Sequence, residues 1–241
     1  MIKFFRHIRK NLLMENKTSK YFKYAIGEII LVMIGILLAL QVNNWNEKRK
    51  ESLEYQKFII KLKSNLQDDI NLYNQAIDDN TNHLKHLDTS LMILKNHKTY
   101  TTKDLQPHLA YIQYLSRFNS NNTAYINLQS TGKLNIVTND SLSDKLILYY
   151  RDITLQEKSI TAGIDAYNRN TFGPLLLEFD FKNPSSEFGY KPLIAYAKNP
   201  KIVNSIELKS IMLNLIIRRY TEQIENAESI IKLIHSEIKH D

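Results

Sequence analysis

Ala25–Val42 reads AIGEIILVMIGILLALQV, eighteen residues in which only Glu28 and Gln41 are strongly polar. A helix rises 1.5 Å per residue, so this stretch is roughly 27 Å long, close to the roughly 30 Å hydrocarbon core of a bilayer. Tyr21, Phe22 and Tyr24 precede it and Trp45 follows it, ring types that settle at the membrane–water interface. A cleaved signal would carry a shorter apolar run with small residues after it, and a buried core helix is rarely apolar all round beside a basic tail. The stretch is therefore expected to be an uncleaved transmembrane helix over residues 24–42. It would follow a basic cytoplasmic tail, residues 1–23, and precede a helical domain, residues 43–241.

Charge follows the same division. Residues 1–24 carry seven Lys/Arg against Glu15, a net +6, whereas residues 43–241 carry 25 basic and 23 acidic side chains. The chain's +7 thus belongs to the tail rather than to the domain, and nucleic-acid binding, which needs clustered charge on the domain itself, is not expected. Seven Lys/Arg precede the apolar segment and Lys48, Arg49, Lys50, Lys57 and Lys61 follow it. That bias favours a cytoplasmic N-terminus in an inner membrane, with the domain on the periplasmic side. Phe4, Phe5, Ile8 and Leu12 share one helical face and Lys3, Arg6, Arg9 and Lys10 surround the other, a pattern suited to lying on anionic lipid. Glu28, about one turn inside the segment, is placed to reach the interface or to pair with Lys23 or Lys20. Gly35 and Ala39 form a small-xxx-small pair through which two such helices can pack.

Beyond Trp45 the chain reads as helix. Six Gly and five Pro leave little turn material, and four of the prolines fall between Pro174 and Pro200. Leu66, Ile70, Tyr73, Ile77, Asn80, Leu84, Leu87, Leu91 and Leu94 recur at steps of four and three in a helix expected to end near Lys95. Asn80 is the polar member of this seam, costing stability and fixing register. Two further seams run Leu142, Leu146, Tyr149, Ile153, Gln156, Ile160, Gly163, Tyr167 and Leu213, Ile217, Tyr220, Ile224, Ala227, Ile231, Ile234, Ile238. Asn204 and Glu207 have the spacing of a capping box for the last helix. With shorter helices over 104–118 and 122–131, and a stretch 172–203 that is irregular or carries short helices, the expected fold is all-α. It comprises one transmembrane helix followed by an antiparallel bundle of long heptad-patterned helices.

Catalytic chemistry is hard to find. The chain has no cysteine, and no serine-hydrolase, zinc-protease or dinucleotide motif occurs. Ser130-Thr131-Gly132-Lys133 lacks the upstream glycine and the following Ser/Thr of a phosphate loop, so Gly132 is expected to end a helix. Asp79, His83 and His86 have metal-ligand spacing, but the seam turns that face toward solvent and surface histidines are expected. Asp68-Asp69 and Asp78-Asp79 are likewise expected on solvated faces. No catalytic, cofactor or metal residue is assigned. Tyr111, Tyr114, Arg117, Tyr125, Tyr149, Tyr150 and Arg151 are the candidates for lining a ligand pocket, although an ordinary amphipathic core is the favoured reading of them.

Residues 4–13, FFRHIRKNLL, followed by ENKTSKYFKYAIGEIILVMIGILLALQVNNWNE through Glu47, resemble the opening of a bacterial family, domain of unknown function 6090. The resemblance rests on Tyr24-Ala25-Ile26-Gly27-Glu28, the Gly35–Ala39 pair and Asn43-Asn44-Trp45-Asn46-Glu47. It continues in Leu128-Gln129-Ser130-Thr131-Gly132-Lys133-Leu134 and in Leu146–Tyr150. It implies a membrane-anchored helical protein and brings no catalytic residues with it. The expected role is a non-enzymatic interaction or sensing module at the membrane, meeting lipid and either a protein partner or a second copy of itself. A scaffold oligomerising through its anchor, and an enzyme with an unrecognised site, are the alternatives.

Overall fold

The computed structural model describes residues 18–179 and 191–238, with the side chains of 18–21, Glu157 and Ile238 left aside. The tail residues Phe4 to Leu12, Pro184 and the last member of the third seam lie outside that description. Among the described residues there is no strand, and the helices are α1 Thr18–Lys95, α2 Thr102–Leu109, α3 Thr123–Ser130, α4 Asp140–Gln156, α5 Ala162–Tyr167, α6 Gly173–Leu176, α7 Leu193–Ala197 and α8 Pro200–Ile238. The apolar segment and the first long helix are a single element, α1, which ends at Lys95 as expected.

The chain divides into two compact units, residues 1–57 and 58–241. In the first, the apolar segment is long and apolar enough to cross a membrane, and its most apolar 18-residue window has none of its residues buried. Ile26, Leu31, Ile34, Leu38, Val42 and Trp45 are all exposed. This segment of α1 therefore takes no part in the described core.

The second unit has its own core. Leu62, Leu66, Asp69, Tyr73, Ala76, Asn80, Leu87 and Leu94 of α1 are fully buried, and Ile70, Ile77, Leu84 and Leu91 flank them half-buried. The expected seam is thus on the inward face, but its deepest line between residues 66 and 80 passes through Asp69 and Ala76 rather than Ile70 and Ile77. One cluster gathers Leu87 and Leu94 with Leu105, Leu109 and Ile112 of the α2 region, Phe172, Leu175, Leu193 and Tyr196 around the proline-rich stretch, and Ile206 and Leu213 of α8. A second joins Tyr73 and Ala76 to Ile164, Ile216 and Tyr220. Asn139, immediately before α4, bonds Glu237 of α8, and Lys145 of α4 bonds Ser229, an opposite order that runs these two helices in opposite directions.

Local chemistry accounts for the element ends, with three departures from expectation. First, α8 begins at Pro200, not after Asn204. Asn199 precedes it, its Oδ1 accepting the Lys201 N–H at 3.0 Å, and proline withholds an N–H that would have no helical partner there. Asn204 and Glu207 are exposed residues within the helix. Second, α2 with its 3₁₀ turn ends at Ile112, leaving residues 113–122 non-helical where a helix to Phe118 was expected. Third, the helical path from Asp140 to Leu176 contains two π-helical segments, Glu157–Thr161 and Asn168–Phe172. The wider turns shift the buried line, so that Ile164 is buried and Gly163, assigned to the seam, is exposed. Gly132 does end α3. At φ +69° it sits in the left-handed region, with Gly132 N–H donating to Gln129 O and Lys133 N–H to Leu128 O.

Candidate functional site

Residues 113–122 have backbone groups that no helix satisfies, and α1 supplies what they lack. Asn80 Nδ2 donates to Ser116 O at 2.9 Å while Ser116 N–H donates to Asn80 Oδ1 at 3.0 Å. Asp69 Oδ1 accepts the Asn121 N–H at 2.7 Å, and its Oδ2 accepts the hydroxyls of Ser120 at 2.8 Å and Tyr149 at 3.0 Å. Asn65 Oδ1 accepts the Ala124 N–H at 3.1 Å. At the rim, Asp79 accepts from Ser116 Oγ and Asp68 from Asn121 Nδ2. Asn65, Asp69 and Asn80 are buried, so their bonds to the loop are at least partly shielded from water, and an unpaired group there is costly. Asp69 was expected in solvent beside Asp68. It is fully buried instead, and burial, outweighing its three donors, holds its carboxyl above the usual carboxylate range.

This ladder fixes one end of an open cleft of about 460 Å³. Phe118, Asn119, Ser120 and Asn122 come from the loop, Tyr125, Ile126 and Gln129 from α3, and Ile147, Tyr150, Arg151, Ile153 and Thr154 from α4. Tyr125 and Tyr150 stack with ring centroids 4.4 Å apart, and Tyr149 meets Tyr150 edge-on at 5.0 Å. Tyr149 is turned away from the cleft to Asp69, and burial raises its phenol well above its ordinary value. The Tyr150 hydroxyl is buried and has no hydrogen-bond partner among the described residues. Arg151 is exposed and meets Asp152 at 3.2 Å. The cleft therefore presents amides, hydroxyls, isoleucine and tyrosine rings, and among the described lining residues Arg151 is the charged one.

Of the seven residues singled out from the sequence, Tyr125, Tyr150 and Arg151 line this cleft and Tyr149 braces it from behind. The other three belong elsewhere. Arg117 makes a two-pronged ion pair with Asp165, at 2.5 and 2.6 Å. Tyr111 and Tyr114 pack against histidines.

Residues 28–154 match a family of unknown function, DUF6090. The match covers more than half of the chain. The chain belongs to this family. Asn65, Asp69, Asn80, the 113–122 loop and the cleft residues all lie inside the matched region of this DUF6090 chain, whereas α8 lies outside it. No curated protein and no solved structure matches the chain.

The histidines of this DUF6090 protein are not the surface residues expected. His86 stacks on Tyr111 with centroids 3.6 Å apart, and its Nδ1 lies 2.8 Å from Nδ1 of His108. His83 packs against Tyr111 and Tyr114, its Nδ1 buried without a hydrogen-bond partner among the described residues. Burial lowers His83, against an opposing pull from Asp79, and burial lowers His108 with help from His86. Among the described residues no group of three or more His, Cys, Asp or Glu side chains is arranged to hold a metal ion.

Lys209 of α8 was not anticipated at all. It is fully buried, and its Nζ donates to Asn168 Oδ1 at 3.1 Å. Burial pushes its ammonium down to about 8, partly offset by Asp165. Asn168 opens the second π-helical segment and also donates to Gln113 O at 3.1 Å, so one amide serves the loop and the lysine together. A lysine at an inward helical position is invisible to a pattern of apolar residues.

Proposed function

We propose that this DUF6090 chain is a single-pass membrane-anchored module, not an enzyme, that holds a recognition surface at the membrane. The observation that carries the reading is the exposed apolar stretch of α1. Twelve large apolar side chains between Ile26 and Val42 are about half or more exposed, each favouring a bilayer by roughly 0.3–0.6 kcal/mol. Their sum, on the order of 5 kcal/mol, exceeds the roughly 3 kcal/mol that an ionised group costs at the bilayer centre, and Glu28 sits near the end of the segment. In this reading the tail is cytoplasmic, residues 43–241 stand on the periplasmic side of an inner membrane, and the α3–α4 cleft is where a small ligand or a protein partner engages.

A scaffold that self-associates through its anchor is the second reading. It is favoured by Gly35, where an added Cβ would meet nothing within 4 Å, leaving room for a neighbouring helix beside Gly35 and Ala39.

Photo-crosslinking in intact membranes separates the two. A benzophenone side chain replacing Gln129 in the cleft is expected to capture a partner or a small-molecule adduct, whereas one replacing Ala39 captures a second copy if the scaffold reading holds. Recovery of unmodified monomer from both positions overturns both readings, and release of the chain by alkaline carbonate overturns the anchor. A reporter fused after Asp241 that is active only in the cytoplasm overturns the orientation.

A further inference from the structure

The facing Nδ1 atoms of His86 on α1 and His108 on α2, 2.8 Å apart, are at hydrogen-bond distance. Such a contact holds one proton. A neutral imidazole has one donor and one acceptor nitrogen, whereas an imidazolium has two donors and no acceptor. Two neutral rings can share the bond, as can one neutral ring and one imidazolium. Two imidazolium rings cannot, because two N–H groups and two positive charges would then face each other.

Among the described residues no carboxylate is bonded to the pair to hold a second charge. On α1, the neighbouring charged residues Lys85 and Asp88 are exposed, and Asp79 acts on His83, one turn before His86. The turn after α2 contributes Tyr111 and Tyr114, and from α8 Lys209 adds positive potential at His83. At the other end of α2, Lys103 is exposed and Asp104 is engaged by the Thr101 N–H and hydroxyl at 2.7 and 2.8 Å. The His86 ring lies flat on Tyr111, at an interplanar angle of 1°, so it cannot swing aside without giving up that stack.

We propose that the His86–His108 pair is an acid-sensitive latch, holding α2 against α1 while a single proton lies between the rings and releasing α2 when both rings are protonated. Only eight residues long, α2 is held otherwise by the burial of Thr102, Leu105 and Leu109. Its release bares the part of the larger apolar cluster that Leu105 and Leu109 cover. The burial that already lowers His108 places the second protonation below the ordinary imidazole value of 6.5. Both rings lie in the unit of residues 58–241, so the latch stands whether or not the anchor reading holds.

Hydrogen exchange on the full chain in nanodiscs, normalised to intrinsic rates, tests this at pH 7.5 and 5.0. Peptides covering residues 102–112 are expected to lose protection at least tenfold at pH 5.0, while those covering 213–230 keep theirs. His86→Phe, which retains a ring on Tyr111 but cannot titrate, is expected to remove the pH response. His108→Asn places an amide, donor and acceptor at any pH, opposite His86, and is expected to keep α2 protected at both values. Equal wild-type protection of 102–112 at the two pH values overturns the latch. So does an undiminished pH response in His86→Phe, which would place the sensitive group elsewhere.

Discussion

Asn80 and Ser116, 36 residues apart, exchange a matched pair of hydrogen bonds, with the asparagine amide taking the place that a strand or helix would fill opposite the Ser116 backbone. The position belongs to an otherwise apolar seam, so Asn80→Leu completes the hydrophobic pattern and tests what the polar residue is for. Leucine gains transfer energy but leaves a part-buried N–H and C=O unpaired, each costing about 1–3 kcal/mol. The expected net loss is about 2 kcal/mol in urea denaturation of the detergent-solubilised chain. An unchanged or higher midpoint would show that Ser116 finds water instead.

Asp69 carries a heavier share of the same loop. Asp69→Ala strands the Asn121 N–H and the buried Tyr149 hydroxyl and is expected to cost about 3 kcal/mol or more. Asp69→Asn keeps an acceptor for Asn121 and should cost less. The pH dependence separates charge from shape. Because the folded carboxyl titrates above its unfolded value of 3.8, its contribution is full below that pH and is lost as pH rises through the folded value. The stability of Asp69→Asn relative to wild type should therefore improve from pH 3.8 upward and then level off. A difference that stays flat with pH contradicts the raised carboxyl.

What could be read beforehand, and what could not, divides along these same residues. Apolar periodicity was enough to place the inward face of α1 and to end that helix at Lys95, because Leu66, Tyr73, Leu87 and Leu94 report burial directly. Tyr125, Tyr150 and Arg151 emerged as cleft residues for a related reason, since aromatic density near arginine marks a half-buried surface. Sequence reading assigns Asp69 and His86 to solvent and singles out neither Lys209 nor His108, because a charged or titratable residue is assumed to seek water. Each is inward only because a partner distant in sequence receives it, and those partners sit on the 113–122 loop, α2 and the π-helical segment. Two of these follow from local breaks in helical geometry, which no regular period announces.

Gly132 offers a test free of packing effects. An added Cβ would meet nothing within 4 Å, yet φ is +69°. Gly132→Ala should therefore lose only the backbone preference, about 1–2 kcal/mol, while Gly132→Asn, better tolerated in that region, should lose less. Urea midpoints of the two variants check the order. Equal midpoints for alanine and wild type would mean that the end of α3 rearranges at no cost.

Lys209 should be a liability to stability at neutral pH. Its ammonium is buried with the neutral amide of Asn168 as its bonded partner and titrates at about 8 against 10.5 in the open. Below pH 8 folded and unfolded forms are both protonated, and the penalty is at its full size, about 3 kcal/mol at 1.36 kcal/mol per unit. Between pH 8 and 10.5 the unfolded chain binds the proton and the folded chain does not, so wild-type stability rises with pH across that window. Lys209→Met keeps a similar length and removes the charge. At pH 7 it is expected to be more stable than wild type by up to about 3 kcal/mol, the gap closing by pH 10.5. Denaturation midpoints of the two proteins at pH 7, 9 and 10.5 supply the comparison. A methionine variant less stable than wild type at pH 7 would mean that Asn168 and the nearby Asp165 more than compensate the buried charge, making Lys209 a net tie between α8 and the second π-helical segment.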